Sequence, residues 1–481
     1  MKKIQFCLLL TLCPLLLSCD KAIDEVPLAR YSTANLTKTT LDALVTGAYE
    51  PLARSRGRLW ESTIGLQLER MTEYGVAPAG DNYVNYNFLA TRDGFAPCWT
   101  TWYETIGKAN LLLKTLDDDR QLAQVDKDAA RGEMLFTRAL SYYWLVRLWG
   151  PIPLRLQPIA NSNETALPVS DVPAVYAQIV KDLQIAETLL PAQVSAAKAG
   201  RATAGAAKLM LADIYLTTKD YANARLKAKE MMDNKAKYGY ELVKSLATLF
   251  SPTLPTNSED VFSIKFAQQN SYGSFLPTYA ADSRAKDAGL AARGLQFVAV
   301  SSKAPLIKNW DRADLRRSFS LYDSVTITGV KLKATLIPGA DYYIGKYRDP
   351  DAPTETGAGN DFYLYRYVDA LLIFAEAENQ LSGPTDAAYA AINQVRRRAY
   401  GLDFNTVSAK ADFPKGLTKQ QFDDLVFQER GYEFVYEGRR YLDLTRTGRA
   451  TKFIADAGKP VPTLPYLLIP TVETANNPAI K

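Results

Sequence analysis

Histidine is absent from the 481 residues of this chain, which removes the side chain most often used for general acid–base work. Without imidazole there is no Ser-His-Asp or Cys-His relay, no HExxH zinc site and no histidine proton shuttle; carboxylate, lysine and tyrosine chemistry stay open. Cysteine is nearly as scarce. Of four, Cys7, Cys13 and Cys19 fall in the first twenty residues, and only Cys98 is left in the body of the chain. One cysteine makes no internal disulfide, so the fold must rest on its own core, which a chain this long can supply. Cys98 reads as a small buried residue rather than a nucleophile, because no histidine is present to activate it. A charge of one sign is also missing: 57 Lys+Arg face 52 Asp+Glu, which leaves no electrostatic footprint for nucleic-acid binding. The motifs GxxxxGK[ST], GxSxG and GxGxxG do not occur, so phosphate-cradle and hydrolase-elbow chemistries have no support. No Asp-rich loop with calcium-ligand spacing is present, and no metal or cofactor is expected.

What is present begins at the N-terminus. Lys2 and Lys3 precede an apolar run from Ile4 to Leu17, about the length of a secretory signal core and short of the ~18 residues a spanning helix needs. No later segment is long and apolar enough to span. The run ends in Leu16-Leu17-Ser18-Cys19, which resembles a bacterial lipobox, and a lipid on Cys19 would hold the mature protein on a membrane without crossing it. Residues 1–18 are therefore read as a lipoprotein signal peptide, 19–30 as a polar tether, and 31–481 as a single domain.

With 47% hydrophobic and 23% charged residues that domain has an ordinary globular composition. Its dominant periodicity is helical. The segment LMLADIYLTTKDYANARLKAKEMM places Leu209, Ala212 and Tyr215 on one face, turns near Lys219-Asp220, and continues with Tyr221, Ala224 and Ala228. Ala375, Ala387 and Ala391 repeat the spacing of Ala212, Ala224 and Ala228 in a second helical pair broken by Gly383-Pro384. Small residues at such positions let antiparallel helices approach closely, as in tetratricopeptide repeats. A third pair joins MLFTRALSYYWLVRLW to a helix over Pro173–Leu190, whose proline suits a first helical turn. Further helices are expected over Leu41–Arg54 and Trp99–Leu116, and after Thr418, where Gln421 completes a capping box. Between Pro252 and Asn360 the helical pattern fails, leaving short strand-like runs at Val261–Phe266 and Ser324–Val330. The expected fold is predominantly α, with tetratricopeptide-like repeats (31–250), a long loop-rich region (251–360) and a C-terminal helical part (361–481).

Several blocks in order resemble the SusD/RagB family of outer-membrane nutrient-binding lipoproteins. They are the lipobox, Trp102-Tyr103-Glu104-Thr105-Ile106 with Ala109-Asn110, Arg138-Ala139-Leu140 through Leu148-Trp149-Gly150-Pro151-Ile152-Pro153, and the repeat at Ala212. Tyr365 to Ala377, Asn393 to Arg398, Glu429 to Gly448, and Leu468-Ile469-Pro470 with Asn477-Pro478 complete the series. The resemblance spans nearly the whole mature chain. It implies a non-enzymatic lipoprotein facing outward on the outer membrane, which captures an oligomeric nutrient, a glycan or a peptide. It also implies a partner, a SusC-like TonB-dependent transporter over which the protein acts as a lid.

The residues allow two other readings. Glu429, Glu433 and Glu437 recur every four residues and could supply a carboxylate pair for a surface glycosidase; with Arg430, Arg439 and Arg440 close by and Phe434, Val435 and Tyr436 core-like, an ion-pair network is favoured. A tetratricopeptide scaffold for envelope assembly is the other. Arg396, Arg397 and Arg398 read as a solvated helix end. For ligand binding, helical aromatics such as Tyr142, Trp144 and Trp149 are expected in the core, as are Trp99 and Trp102. Aromatics in polar loops can instead stack on sugar faces while amides and charges bond hydroxyls. The loop 80–88 offers Asn82, Tyr83, Asn85 and Tyr86; the irregular region offers Tyr272, Tyr279, Trp310 and Arg312. Family members that bind glycans place an aromatic arc on loops outside the repeats, a likeness of region and not of matched residues.

Overall fold

The computed structural model describes residues 36–53, 59–161, 164–334 and 337–480. The signal segment, Cys19 and the tether lie outside these residues. Nine helices form the frame: α1 (Lys38–Ala53), α2 (Ala96–Asp118), α3 (Gln124–Trp149), α4 (Val172–Leu189), α5 (Ala204–Thr217), α6 (Tyr221–Asp233), α7 (Tyr367–Ser382), α8 (Asp386–Ala399) and α9 (Lys419–Glu433). Their starts follow local chemistry. Asp171, Thr203, Asp220 and Thr385 each accept a hydrogen bond from the backbone N–H three residues on, which satisfies a first-turn donor. Thr418 and Gln421 form the expected reciprocal box, at 3.2 and 2.9 Å.

Neighbours in sequence pack in series: α1 on α2 and α3, α2 on α3, α3 on α4, α4 on α5, α5 on α6, α6 on α7, and α7 on α8 and α9. Between α5 and α6 the contact is close because Ala212, Ala224 and Ala228 present no side chain beyond Cβ and are fully buried. The second pair departs from the expected spacing. Ala387 is exposed and its neighbour Ala388 is buried with Ala391 and Ile392; after the Gly383-Pro384 break α8 starts two residues later relative to Ala375 than α6 does relative to Ala212. The four tryptophans of α2 and α3 behave as expected for helical aromatics: Trp102 stacks on Trp144 at 5.9 Å and Trp99 meets Trp149 edge-on at 5.2 Å. Cys98 is buried among them, and burial pushes its thiol above the ordinary range.

The loop-rich region carries only short strands. β1 (Asp260–Ile264) pairs antiparallel with a strand that the helical pattern hid, β4 (Phe362–Arg366), and the pair leads directly into α7. The run expected at Ser324–Val330 is a hairpin, β2 (Ser324–Ile327) and β3 (Val330–Lys333), because Thr328 and Gly329 both adopt positive φ and turn the chain. Two-residue pairings tie Gly75–Val76 to Ala299–Val300 and Leu321–Tyr322 to Tyr343–Ile344.

A buried charge lattice joins this region to the C-terminal helices. Arg366 bridges Glu433, Glu437 and Glu259 at 2.6 to 3.0 Å; Arg398 bridges Glu259 and Glu433; Arg316 reaches Asp314, Glu429 and Glu433; and Lys346 pairs Glu437. The favoured ion-pair reading of the three glutamates holds, with two differences: their partners are not Arg430, Arg439 and Arg440, which pair instead with Asp443, Asp369 and Glu73, and α9 ends at Glu433, where the positive φ of Tyr436 reverses the chain so that Glu437 returns to the lattice from a turn. The arginine cluster is not a solvated helix end. Arg397 and Arg398 are buried and paired with Asp412 and with Glu259 and Glu433, and Arg396 lies over Phe413, because the chain after α8 folds back and caps that end.

Candidate functional site

Two loops predicted to bear ligand-facing aromatics are brought together by one arginine. Arg70 ends a short helix (Leu68–Arg70) and its guanidinium donates from Nε and Nη2 to the Phe297 carbonyl, at 3.0 and 2.8 Å. The same group stands 5.9 Å from the ring centroids of Tyr83 and Phe297 and 3.2 Å from Asp81. Asp81 in turn accepts from the backbone N–H groups of Tyr83 and Val84, both at 3.0 Å, which folds the loop so that Tyr83 lies edge-on to Phe95. A Cβ at Gly94 would meet the Tyr83 hydroxyl at 1.9 Å, so the ring position depends on glycine there.

From Phe297 the aromatic surface continues inward. Its ring stacks on Tyr279 at 5.7 Å, and Tyr279 stacks on Phe275 at 5.5 Å with the planes 16° apart. Phe297 is 37% exposed, Phe275 and Tyr83 are half-buried, and Tyr279 is buried. The positive φ of Gln296 turns the chain just before Phe297. The result is a graded stack with its outer ring open to solvent and a buried arginine at its flank, offering flat apolar faces beside hydrogen-bonding groups.

The segment that carries Arg70 is anchored from below by the C-terminal part of the chain. Lys459 Nζ donates to the carbonyls of Arg70, Thr72 and Gly75 at 2.9, 2.5 and 3.0 Å, so an ammonium group satisfies the free carbonyls at a helix end. Burial lowers that lysine to about 8. Glu73 receives Arg440, and Glu69 receives the Tyr74 hydroxyl and the Gly438 N–H. Burial raises Glu69 to about 7 although both of those bonds favour its anion. Gly75 admits no Cβ, which would lie 2.1 Å from the Glu69 carbonyl.

The residues proposed from sequence divide accordingly. Asn82 and Asn85 are exposed on the first loop, Tyr83 joins the stack through Arg70, and Tyr272 is 66% exposed on the second loop. Tyr86 is turned inward: with φ at +51° it donates to the Met71 carbonyl at 2.5 Å and stacks on Tyr441. Tyr279 is covered by its two stacking partners. Trp310 is buried away from this surface, stacked on Tyr432 of α9 at 4.8 Å with its indole N–H on Asp314, while Arg312 beside it is exposed. The rings of Tyr86, Tyr279 and Trp310 are thus committed to packing and present no face to a ligand. Phe297 and Arg70 were not singled out from sequence. Phe297 precedes the apolar run Val298–Val300 and reads as one more strand residue, and Arg70 closes an apolar helix with nothing in the pattern to mark it.

Among the described residues no group of three or more His, Cys, Asp or Glu side chains is placed to hold a metal ion, and no helix is long and apolar enough to cross a membrane. The glutamates considered for glycoside cleavage lie in the lattice described above. Burial alone would raise Glu433, but Arg398, Arg366 and Arg316 outweigh it and hold the carboxyl well below its usual range.

Fold and site together define a helical-repeat protein with an aromatic surface built on loops outside the repeats. A model described as "SusD family" matches residues 339–462, and one described as "Starch-binding associating with outer membrane" matches residues 23–216. The chain is 26% identical over 449 residues to SusD-like protein P2 of Formosa agariphila, covering 88% of this chain and 87% of that one. It is 24% identical to a SusD-like protein of Bacteroides ovatus, over 88% and 79% of the two chains. Among solved structures, a laminarin-binding SusD-like protein superimposes with a TM-score of 0.76 at 23% identity, covering 92% of this chain and 98% of that one. Surface glycan-binding protein A from Bacteroides thetaiotaomicron in complex with laminarihexaose does so with 0.74 at 20% identity, over 92% and 98%. The chain belongs to the SusD/RagB family.

Proposed function

We propose that this chain is an outer-membrane lipoprotein, anchored through Cys19 and facing outward, that binds a glycan oligomer and delivers it to a SusC-like TonB-dependent transporter without cleaving it. The observation that carries the reading is the graded stack Phe275–Tyr279–Phe297 joined through Arg70 to Tyr83, with exposed Asn82, Asn85 and Tyr272 on the same two loops. A pyranose presents an apolar face and a rim of hydroxyls, and a solvent-facing ring beside amides and a guanidinium is the matching surface. Two structural neighbours named for laminarin or a laminarihexaose complex support a glycan as the ligand, and the lipobox-like end of the signal supports the anchor. Binding without turnover is supported by the burial of Glu429, Glu433 and Glu437, the carboxylates considered for glycoside hydrolysis, which have no solvent access.

The test is a calorimetric titration of the purified protein with β-glucan, other neutral oligosaccharides and oligopeptides, with each mixture then analysed for cleavage. Saturable glycan binding that Phe297→Ala weakens, with the oligosaccharide recovered intact, is the expected result. Hydrolysis would establish the glycosidase instead, peptide binding would change the ligand class, and glycan binding indifferent to Phe297 and Tyr83 would remove the aromatic surface from the site.

A further inference from the structure

A cleft away from the aromatic surface lies where the ends of α3, α5 and α9 meet the start of α4. It measures about 860 Å³, within the size range of small-ligand sites. Tyr176 and Tyr466, both half-buried, contribute aromatic walls, and Thr217, Thr218 and Thr445 contribute hydroxyls.

Its charged lining is unevenly satisfied. Arg446 donates from all three nitrogens to Glu376 and Asp443, whereas Arg439 donates from Nη2 to Asp369 and keeps its Nη1 3.9 Å from Asp213. Asp213 accepts the Tyr143 and Tyr365 hydroxyls, and Asp220 caps α6. Two more guanidinium groups line the cleft. Arg430 is 2% exposed and donates from Nε and Nη2 to Asp443, but its buried Nη1 has no partner among the described residues. Arg147, with its side chain 10% exposed, is clamped over the rings of Tyr143 and Trp144 at 3.8 and 4.3 Å. Its Nε makes one long bond to the Tyr143 carbonyl at 3.3 Å, and its Asp213 ion-pair partner stands 4.0 Å away. Buried guanidinium N–H groups without acceptors are costly, and a carboxylate is the group whose two oxygens match their planar geometry. Together with the paired carboxylates behind them the charges of this cluster nearly balance, so selectivity would come from these unfilled donor edges and not from a general positive field.

We propose that this cleft is a second binding site, for a carboxylate-bearing sugar unit such as a hexuronate residue. The carboxylate sits between Arg147 and Arg430, and the pyranose ring lies against Tyr176 or Tyr466 with its hydroxyls on the threonines.

The experiment titrates the purified protein with a short oligogalacturonate and, separately, with a neutral oligosaccharide of the same length, in wild type and in Arg147→Gln, Arg147→Lys and Phe297→Ala, with thermal melts confirming each fold. Saturable binding of the acidic oligomer at one site is expected, weakened at least tenfold by Arg147→Gln, partly kept by Arg147→Lys, competed by free glucuronate and untouched by Phe297→Ala. Absence of acidic-oligomer binding to the wild type would overturn the site, as would binding of the neutral oligomer to the Phe297→Ala variant equal to that of the acidic one. So would undiminished binding to a folded Arg147→Gln variant. Loss through Phe297→Ala alone would place the acidic sugar on the aromatic surface and equally reject the cleft.

Discussion

The two halves of this molecule treat polar and aromatic groups in opposite ways. In the helical body and the C-terminal lattice, charges are taken out of water in sets: Glu433 alone touches Arg316, Arg366 and Arg398, and the tryptophans of α2 and α3 stack on one another. Around residues 70–88 and 275–297 the rings are graded from buried to open, and backbone devices do the work: an aspartate-capped loop, positive φ at Gln296, and an ammonium holding three carbonyls. The first arrangement makes a rigid frame. The second leaves a flat apolar face in solvent, which stabilises nothing unless something binds it.

The sharpest way to break the frame is Glu433→Gln, which takes one carboxylate partner from each of three buried guanidinium groups; a loss of about 3–5 kcal/mol in denaturant unfolding is expected. Trp310→Ala should cost a similar ~3–5 kcal/mol as a buried aromatic truncation and leave ligand binding unchanged once the fold is retained. A loss of binding without destabilisation would return Trp310 to the site.

The anchor beneath the open surface is probed by pH. Glu69 is raised to about 7 and Asp361, pushed up by burial against the pull of Lys265, to about 6. In the window between the ordinary carboxylate range and those values the folded state holds protons that the unfolded state has released, so stability falls as pH rises from about 5 to 7. Stability curves measured across that window should show the fall, and Glu69→Gln should flatten it by about 1–3 kcal/mol, since a tenfold change in proton affinity between the folded and unfolded states corresponds to about 1.4 kcal/mol. Below that window the sign reverses, because Glu433, held low by its arginines, contributes stability that is lost as it is protonated. The smallest effect on the fold belongs to the open ring: Phe297→Ala should change stability by less than about 1 kcal/mol for a partly exposed side chain yet weaken glycan binding about tenfold, equivalent to ~1.4 kcal/mol.

Much of the frame was legible in the chain itself. The helix start at Pro173, the capping box at Thr418, the alanine contacts between α5 and α6 and the tryptophan core all depend on residues close in sequence or on a pattern repeated along one helix face; the glutamates were read as ion-paired, but their partners Arg398, Arg366 and Arg316 lie 35, 67 and 117 residues from Glu433. The site was legible only by region. Two loops were singled out as candidates; Tyr83 lies beside Arg70 and Phe297, whereas Tyr86 and Tyr279 in the same loops are buried, and Phe297 was hidden in an apolar run. Ring orientation there depends on contacts such as Tyr86 to Met71 and Tyr441, or Arg70 to Phe297, whose partners can lie hundreds of residues away.

By itself, then, the amino-acid order determined the helices, their caps and their close packing, because backbone hydrogen bonds and side-chain periodicity are satisfied within a few turns. Tertiary structure alone decided which aromatic rings face water and which guanidinium edges stay unfilled. Burial is a property of everything that surrounds a side chain, and here those surroundings come from the far end of the chain: Lys459, Arg440 and Gly438 folding back beneath residues 69–75.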